Sequence, residues 1–168
     1  MTDNSLIDQI PALPTIHKRQ ERRDKSLFRV ETLDLEFSNG EQRVYQRLIS
    51  RGVGAVIVVA MLDLETVLLI REYACGVHRY EVGLPKGRLE PGENHLQGAN
   101  RELQEEVGFA ARDLVEIGQL SLAPGYMTHV THVILARDLY PSRLPGDEPE
   151  ELQVIPWPME KLGELVQR

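Results

Sequence analysis

Between residues 87 and 109 the chain reads GRLEPGENHLQGANRELQEEVGF, and this stretch limits the possible folds more than any other. Pro91-Gly92 makes a turn, and Glu93 follows at a helix start, where negative charge is favoured. The spacing predicts a helix over 94–107, with Gly108 as its C-terminal cap. At about 100° per residue, Leu96, Ala99, Leu103 and Val107 fall in one apolar stripe that faces a core. Glu102 and Glu106 lie one turn apart on a flank of that stripe. Glu105 points further round, beside Arg101 at the i,i+4 spacing. Two like charges next to a buried face are costly unless something positive compensates, and carboxylate oxygens suit a hard divalent cation. For such an acidic run taken alone, a solvated helix face is the alternative reading.

The rest of the chain supplies the layers around this helix. Residues 1–25 contain prolines and a mixed charge run (HKRQERRDK) and read as a flexible, solvated segment. A hairpin is expected over 27–48, turning at Asn39-Gly40. The runs GVGAVIVV (52–59) and TVLLI (66–70) read as buried strands, 80–85 as an extended piece, and 116–121, 129–135 and 154–157 as further strands. A last helix begins near Met159 and reaches the end of the chain without a stop signal, so it is expected to be truncated. The expected organisation is a flexible segment at 1–25, a hairpin element at 26–50 and a catalytic domain at 51–168. Strands with one long central helix predict α/β layers around a mixed sheet.

Composition removes several classes of function. No stretch approaches the roughly 20 apolar residues of a membrane span. The N-terminus has no apolar run of the kind a secretory leader carries, so a cytoplasmic location is expected. Cys75 is the sole cysteine, which excludes an intrachain disulfide and a zinc ribbon. A net charge of −7 argues against a general nucleic-acid surface. Polyphosphates still fit if a metal ion supplies positive charge locally.

Gly87, five residues, Glu93, seven residues, then Arg-Glu-Leu-x-Glu-Glu-x-Gly-Phe matches the Nudix box at every defined position. The chain is thereby identified as resembling the Nudix hydrolases, metal-dependent enzymes that cut diphosphate linkages. Over 27–157 it is similar to the ADP-ribose pyrophosphatase branch, through VETLDLEFSNG, IREYA, ANREL, SLAPGY, DLYP and GDEPE. The resemblance implies the Nudix fold, an α/β/α sandwich around a mixed sheet with an N-terminal antiparallel element. It implies Mg²⁺, or Mn²⁺, held by Glu102 and Glu106, with Glu105 as a further ligand or catalytic carboxylate and the backbone carbonyl of Lys86 completing the shell. Gly87, Glu93, Arg101 and Gly108 take structural parts in the box, Arg101 orienting carboxylates by pairing with Glu93.

In that branch the general base comes from an acidic loop downstream of the box. Glu148 is the first choice here, with Glu150 as an added ligand or substitute base; a plain acidic surface loop is the alternative. Arg71 and Tyr73 resemble the family's substrate-contacting stretch, with a fork for phosphate and a face for base or ribose. Arg43 and Tyr45 in the hairpin, and Glu81, are further candidates. Pro124 resembles the ADP-ribose subgroup and Tyr126 the enzymes acting on dinucleoside polyphosphates. Lys86 stands where many ADP-ribose hydrolases have a small residue, which weighs against free ADP-ribose as the preferred substrate. His129 and His132 fall on opposite faces of a strand, so a metal site there is rejected and both read as core or surface histidines; His95, Gln97 and Gly98 receive no role.

The implied substrate is a small nucleoside diphosphate derivative (ADP-ribose, NADH or diadenosine polyphosphates, releasing AMP). Other Nudix specificities, such as nucleotide sugars or capped RNA, and a non-catalytic ADP-ribose sensor are the alternatives. A homodimer is expected, both from the branch and because a lone two-stranded element needs something to pack against.

Overall fold

The structure, a computed structural model, describes residues 12–22, 28–50 and 52–165. Leu27, Val166 and Gln167, placed above in a strand and a helix, lie outside the described residues, as does most of the segment expected to be flexible. The chain divides into two compact units, Met1–Arg51 with Ala123–Thr128, and Gly52–Leu122 with His129–Arg168.

The first unit is a three-stranded antiparallel sheet in the order β1 (Thr15–Arg22), β2 (Phe28–Glu36), β3 (Gln42–Ser50). The turn between β2 and β3 is built on Asn39-Gly40: Gly40 has φ +80°, and the Asn39 side-chain oxygen accepts from the Glu41 amide at 3.1 Å. In β2, Glu31 and Leu33 alternate inward, and Arg47 from β3 meets the buried Glu31 carboxylate at 2.7 Å. For residues 15–22, β1 differs from the expected flexible segment. Every side chain of Thr15–Arg22 is exposed, so no apolar alternation marks it; its backbone pairing with β2 makes it a strand. Charged side chains are what a sheet edge tolerates. The Ala123–Thr128 segment joins this unit through Leu48, whose amide donates to the Tyr126 carbonyl at 2.7 Å.

The second unit holds a mixed sheet in the order β10-β5-β4-β9-β8, from β4 (Ala55–Met61), β5 (Thr66–Ala74), β8 (Phe109–Ser121), β9 (Val130–Pro141) and β10 (Gln153–Pro158). β6 (Arg79–Gly83) pairs with β5, and β7 (Lys86–Arg88) with β4. Only β4 and β9 among these pairs run parallel. Val56, Val58 and Ala60 of β4, Leu68 and Ile70 of β5, and Ile134 and Ala136 of β9 form one buried cluster with Ala99, Leu103 and Val107. β8 starts at Phe109, seven residues before the expected strand. Its first half breaks apolar alternation with Arg112 and Asp113, which pair across the ladder with Asp138 and Arg137. The expected last helix is a 3₁₀ turn followed by α2 (Leu162–Leu165).

The central helix α1 (His95–Glu102) continues as a wider π turn over Leu103–Val107 and stops at Gly108, whose φ of +83° is the left-handed cap. Its N-cap is Asn94, closed into a capping box with Gln97. The buried arc is turned toward Gly98, Glu102 and Glu106, so Leu96, at its far margin, is 38% exposed and leaves the expected stripe. Gly98 explains this turn. A Cβ there would stand 2.5 Å from Leu89 Cδ2, which itself packs beneath α1. Replacing a helical glycine by alanine normally gains about 1 kcal/mol. Here Gly98→Ala is expected to lower the melting temperature instead, because displacing a packed leucine costs about 1–3 kcal/mol. Calorimetry should also show partial recovery in Gly98→Ala/Leu89→Val. A melting temperature raised by Gly98→Ala alone would contradict the tight packing.

Candidate active site

The site forms where α1 and its π turn cross β7. Val58 donates to the Pro85 carbonyl at 2.8 Å, fixing the start of β7 on the sheet. The next residue, Lys86, donates its amide to Glu106 Oε2 at 2.8 Å. Gly87 then lies directly against Glu102. A Cβ on Gly87 would fall 2.1 Å from the Glu102 carboxylate carbon, so no larger residue fits without moving that carboxylate.

Arg101 binds the box together from the other side. Its Nε and Nη2 donate to the two oxygens of Glu93 at 2.8 and 3.0 Å, and Nη1 donates to Glu102 Oε1 and Glu105 Oε2, both at 2.8 Å. Nη2 also reaches the Arg88 carbonyl at 2.9 Å. The guanidinium holds the Glu93 carboxyl below its ordinary range. The Glu90 amide, at 2.9 Å, completes the Glu93 oxygens and closes the turn before the helix.

Beyond Glu106 the cluster widens. One carboxylate oxygen each from Glu72, Glu106 and Glu148 lie within 4.8 Å of one another, and the Lys86 ammonium ion-pairs with Glu72. Glu102 and Glu106 are 8% and 6% exposed. Burial pushes the Glu106 carboxyl up to about 8 and raises Glu102 as well; Glu148 is raised by burial and by Glu72 and Asp147. Two cations, Arg101 and Lys86, thus face the carboxylates of Glu72, Glu93, Glu102, Glu105, Glu106 and Glu148. A set of oxygens with excess negative charge fits a hard divalent cation.

The two acidic-loop candidates separate. Glu148 reaches the Glu72–Glu106 group, whereas Glu150 accepts from the Tyr80 hydroxyl at 2.5 Å. Tyr73 is exposed, hydrogen-bonds His78 at 2.6 Å and sits edge-on to Tyr80, with ring centroids 5.9 Å apart. Arg71 donates to Gln153 at 3.0 Å, and Glu81 pairs with Arg79 at 2.5 Å. Arg43, paired with Glu41, and Tyr45, tilted against Phe37, belong to the first unit, as do the exposed Pro124 and Tyr126.

Glu72 was not anticipated, although its strand carries a signal. With a period of two it continues the row of Leu68 and Ile70, so a carboxylate takes the next place in a core-facing series. Choosing the opposite parity selects Arg71 and Tyr73 and passes over it.

Residues 51–166 match the NUDIX domain family, and residues 14–47 match the NudE-type Nudix hydrolase N-terminal domain. The chain belongs to the Nudix hydrolases. The ADP compounds hydrolase NudE of Escherichia coli (strain K12) is 46% identical over 154 residues, 92% of this chain and 82% of that protein. The ADP-ribose pyrophosphatase of Bacillus subtilis (strain 168) is 32% identical over 80% of this chain and 72% of its own. A crystal structure of an ADP compounds hydrolase superposes with a TM-score of 0.85 at 44% identity, covering 96% of this chain and 86% of that one. The Nudix fold and the resemblance drawn from the box are thereby established. The helix with its π turn is the Nudix helix, and Lys86, Gly87 and Arg101 organise its carboxylates.

The raised Glu106 carboxyl has a defined effect on stability. Between the ordinary value of 4.5 and about 8, the folded chain keeps a proton that the unfolded chain has lost. Metal-free stability should therefore fall as pH rises through that window and level off above it. Glu93 and Glu116, whose carboxyls are lowered, act below pH 4.5 and outside the window. In EDTA the melting temperature should drop between pH 5 and 8 by at least about 4 °C, and by less in Glu106→Gln. Equal slopes in the two proteins would show that Glu106 is not the buried acid.

Proposed function

We propose that the chain is a cytoplasmic, magnesium-dependent pyrophosphatase that hydrolyses the diphosphate linkage of ADP compounds (ADP-ribose, NADH and diadenosine polyphosphates) to release AMP. The single observation that carries the reading is the Glu102–Glu106 pair, buried between Gly87, Arg101 and the Lys86 amide, with Glu148 brought up to Glu106. The relatives named above act on ADP compounds and ADP-ribose, which supports this substrate class. Among the described residues no helix is long and apolar enough to cross a membrane.

Glu102 and Glu106 would hold the cation, with Glu105, Glu72 and the Lys86 carbonyl as further oxygen donors; Mn²⁺ suits the same set. When bound, it supplies positive charge against the diphosphate oxygens. Arg101 keeps Glu102 and Glu105 oriented through its fixed fork. Glu148 takes the proton of the attacking water, since Glu150 is engaged by Tyr80. Lys86 holds Glu72 in place. Tyr73, with Tyr80 beside it, offers an aromatic face to a base or ribose, and Arg71 a fork to phosphate. Glu81, by its pairing with Arg79, positions that edge. We further propose a homodimer in which the three-stranded sheet contributes Arg43 and Tyr45, with Pro124 and Tyr126 from the same unit, to substrate binding. The exposed Val44 and Tyr45 of β3 support a partnered sheet.

A panel of ADP compounds assayed with MgCl₂ tests the reading: AMP should be released from each, and Glu106→Gln should abolish turnover. Glu148→Gln should lower kcat by about 10²–10³-fold with little change in KM, the range of a lost general base. Glu150→Gln should cost less than about tenfold. The reverse order would move the base to Glu150, and binding of ADP-ribose without turnover would make the chain a sensor. Light scattering should give twice the 19.1 kDa chain mass; a monomer would refute the dimer.

A further inference from the structure

A second cluster of metal-ligating groups lies at the other end of the same helix. His95 is the first residue of α1, Glu116 is on β8, and His132 is on β9. On β9, His132 precedes Ile134 and Ala136 at core parity and is only 8% exposed. On β8, the ladder shifts register between Glu116 and Gly118, a bulge of the kind that re-aims side chains. The Nδ1 atoms of His95 and His132 each donate to a different oxygen of Glu116, both at 2.9 Å. The two rings stack on each other with centroids 3.4 Å apart and planes 23° from parallel. The hydrogen bonds from His132 and then His95, with Gln119, hold the Glu116 carboxyl down at about 2, so it is ionised at neutral pH. Glu106 follows His95 by eleven positions, about 16 Å along a helix, so this group is distinct from the Glu106 carboxylate cluster.

We propose that His95, Glu116 and His132 form a binding site for a borderline divalent transition metal of the zinc class, separate from the carboxylate centre of the Nudix box. Two imidazole nitrogens and one carboxylate are a three-ligand zinc set, with a fourth position left for water. The same set is a poor match for magnesium, which prefers oxygen donors. The one ligand atom each residue offers lies within 4.8 Å of the other two. Binding replaces the two hydrogen bonds: each ring proton moves to Nε2, and Nδ1 turns its lone pair to the metal. The stack must open for both lone pairs to converge, and His95, with 39% of its side chain exposed, is the ring able to turn. A bound ion would cross-link the first turn of α1 to the β8–β9 ladder. Nothing in this proposal depends on the substrate of the box.

The test uses the full chain as Glu106→Gln, so that the box is weakened, dialysed against micromolar ZnCl₂ in millimolar MgCl₂, with bound metal measured by mass spectrometry. One zinc per chain is expected, with a rise in melting temperature. Co²⁺ in place of zinc should give the intense visible bands of a tetrahedral or five-coordinate site with nitrogen ligands. His95→Ala, at a partly exposed position, and Glu116→Gln, which keeps the side-chain shape, should each weaken zinc binding by at least about tenfold. They should also remove the cobalt spectrum while leaving magnesium-dependent turnover intact in the otherwise wild-type chain. Absence of zinc from Glu106→Gln, or zinc bound equally by His95→Ala and Glu116→Gln, would overturn the proposal. Loss of turnover in those variants would show that the group serves the box instead.

Discussion

Glu102 and Glu106 are more than nine-tenths buried on a helix whose next face packs Leu103 and Val107 into the core. Removing two carboxylates from water carries a large desolvation cost, and attraction to a single cation rarely recovers it without further hydrogen bonds. The local structure responds to that cost. Gly87 lets the Glu102 carboxylate rest against the backbone, the Lys86 amide donates to Glu106, and Arg101 spans Glu93, Glu102 and Glu105. Gly98 lets the helix lie close against Leu89, where a Cβ would clash. Burial still raises the Glu106 carboxyl to about 8.

Much of this was legible in the residues because it is local. The helix, its glycine cap, the paired carboxylates and the i,i+4 partner of Arg101 all follow from spacing along one element. What escaped was set by neighbours distant in sequence. β1 has no apolar alternation, and only pairing with β2 makes it a strand. Leu96 fits the stripe by angle, yet the helix rolls toward Gly98 because Leu89, from the preceding loop, occupies the space a side chain would need. Glu72 sits fourteen residues before Lys86, and its place beside Glu106 depends on the β5–β4–β7 pairing. The HxxH spacing pointed to core or surface histidines and could not show that His132 stacks on a histidine of α1.

The acidic loop shows the same limit. Glu148 and Glu150 are indistinguishable by composition, spacing or charge. Packing distinguishes them, since Tyr80 on β6 occupies Glu150 while Glu148 stands within 4.8 Å of Glu72 and Glu106. The box therefore supplies the buried carboxylates Glu102 and Glu106. The strands around it decide which acid of the loop stands beside Glu106 and which pairs with Tyr80.

The central claim, that the buried pair at Gly87 is the cation site, is tested most directly by crystals soaked in MnCl₂ with data at the manganese absorption edge. The account predicts an anomalous peak within coordination distance of both Glu102 and Glu106, lost in Gly87→Ala because its Cβ displaces the Glu102 carboxylate. A peak elsewhere with none at this pair, or one unchanged in Gly87→Ala, would contradict it.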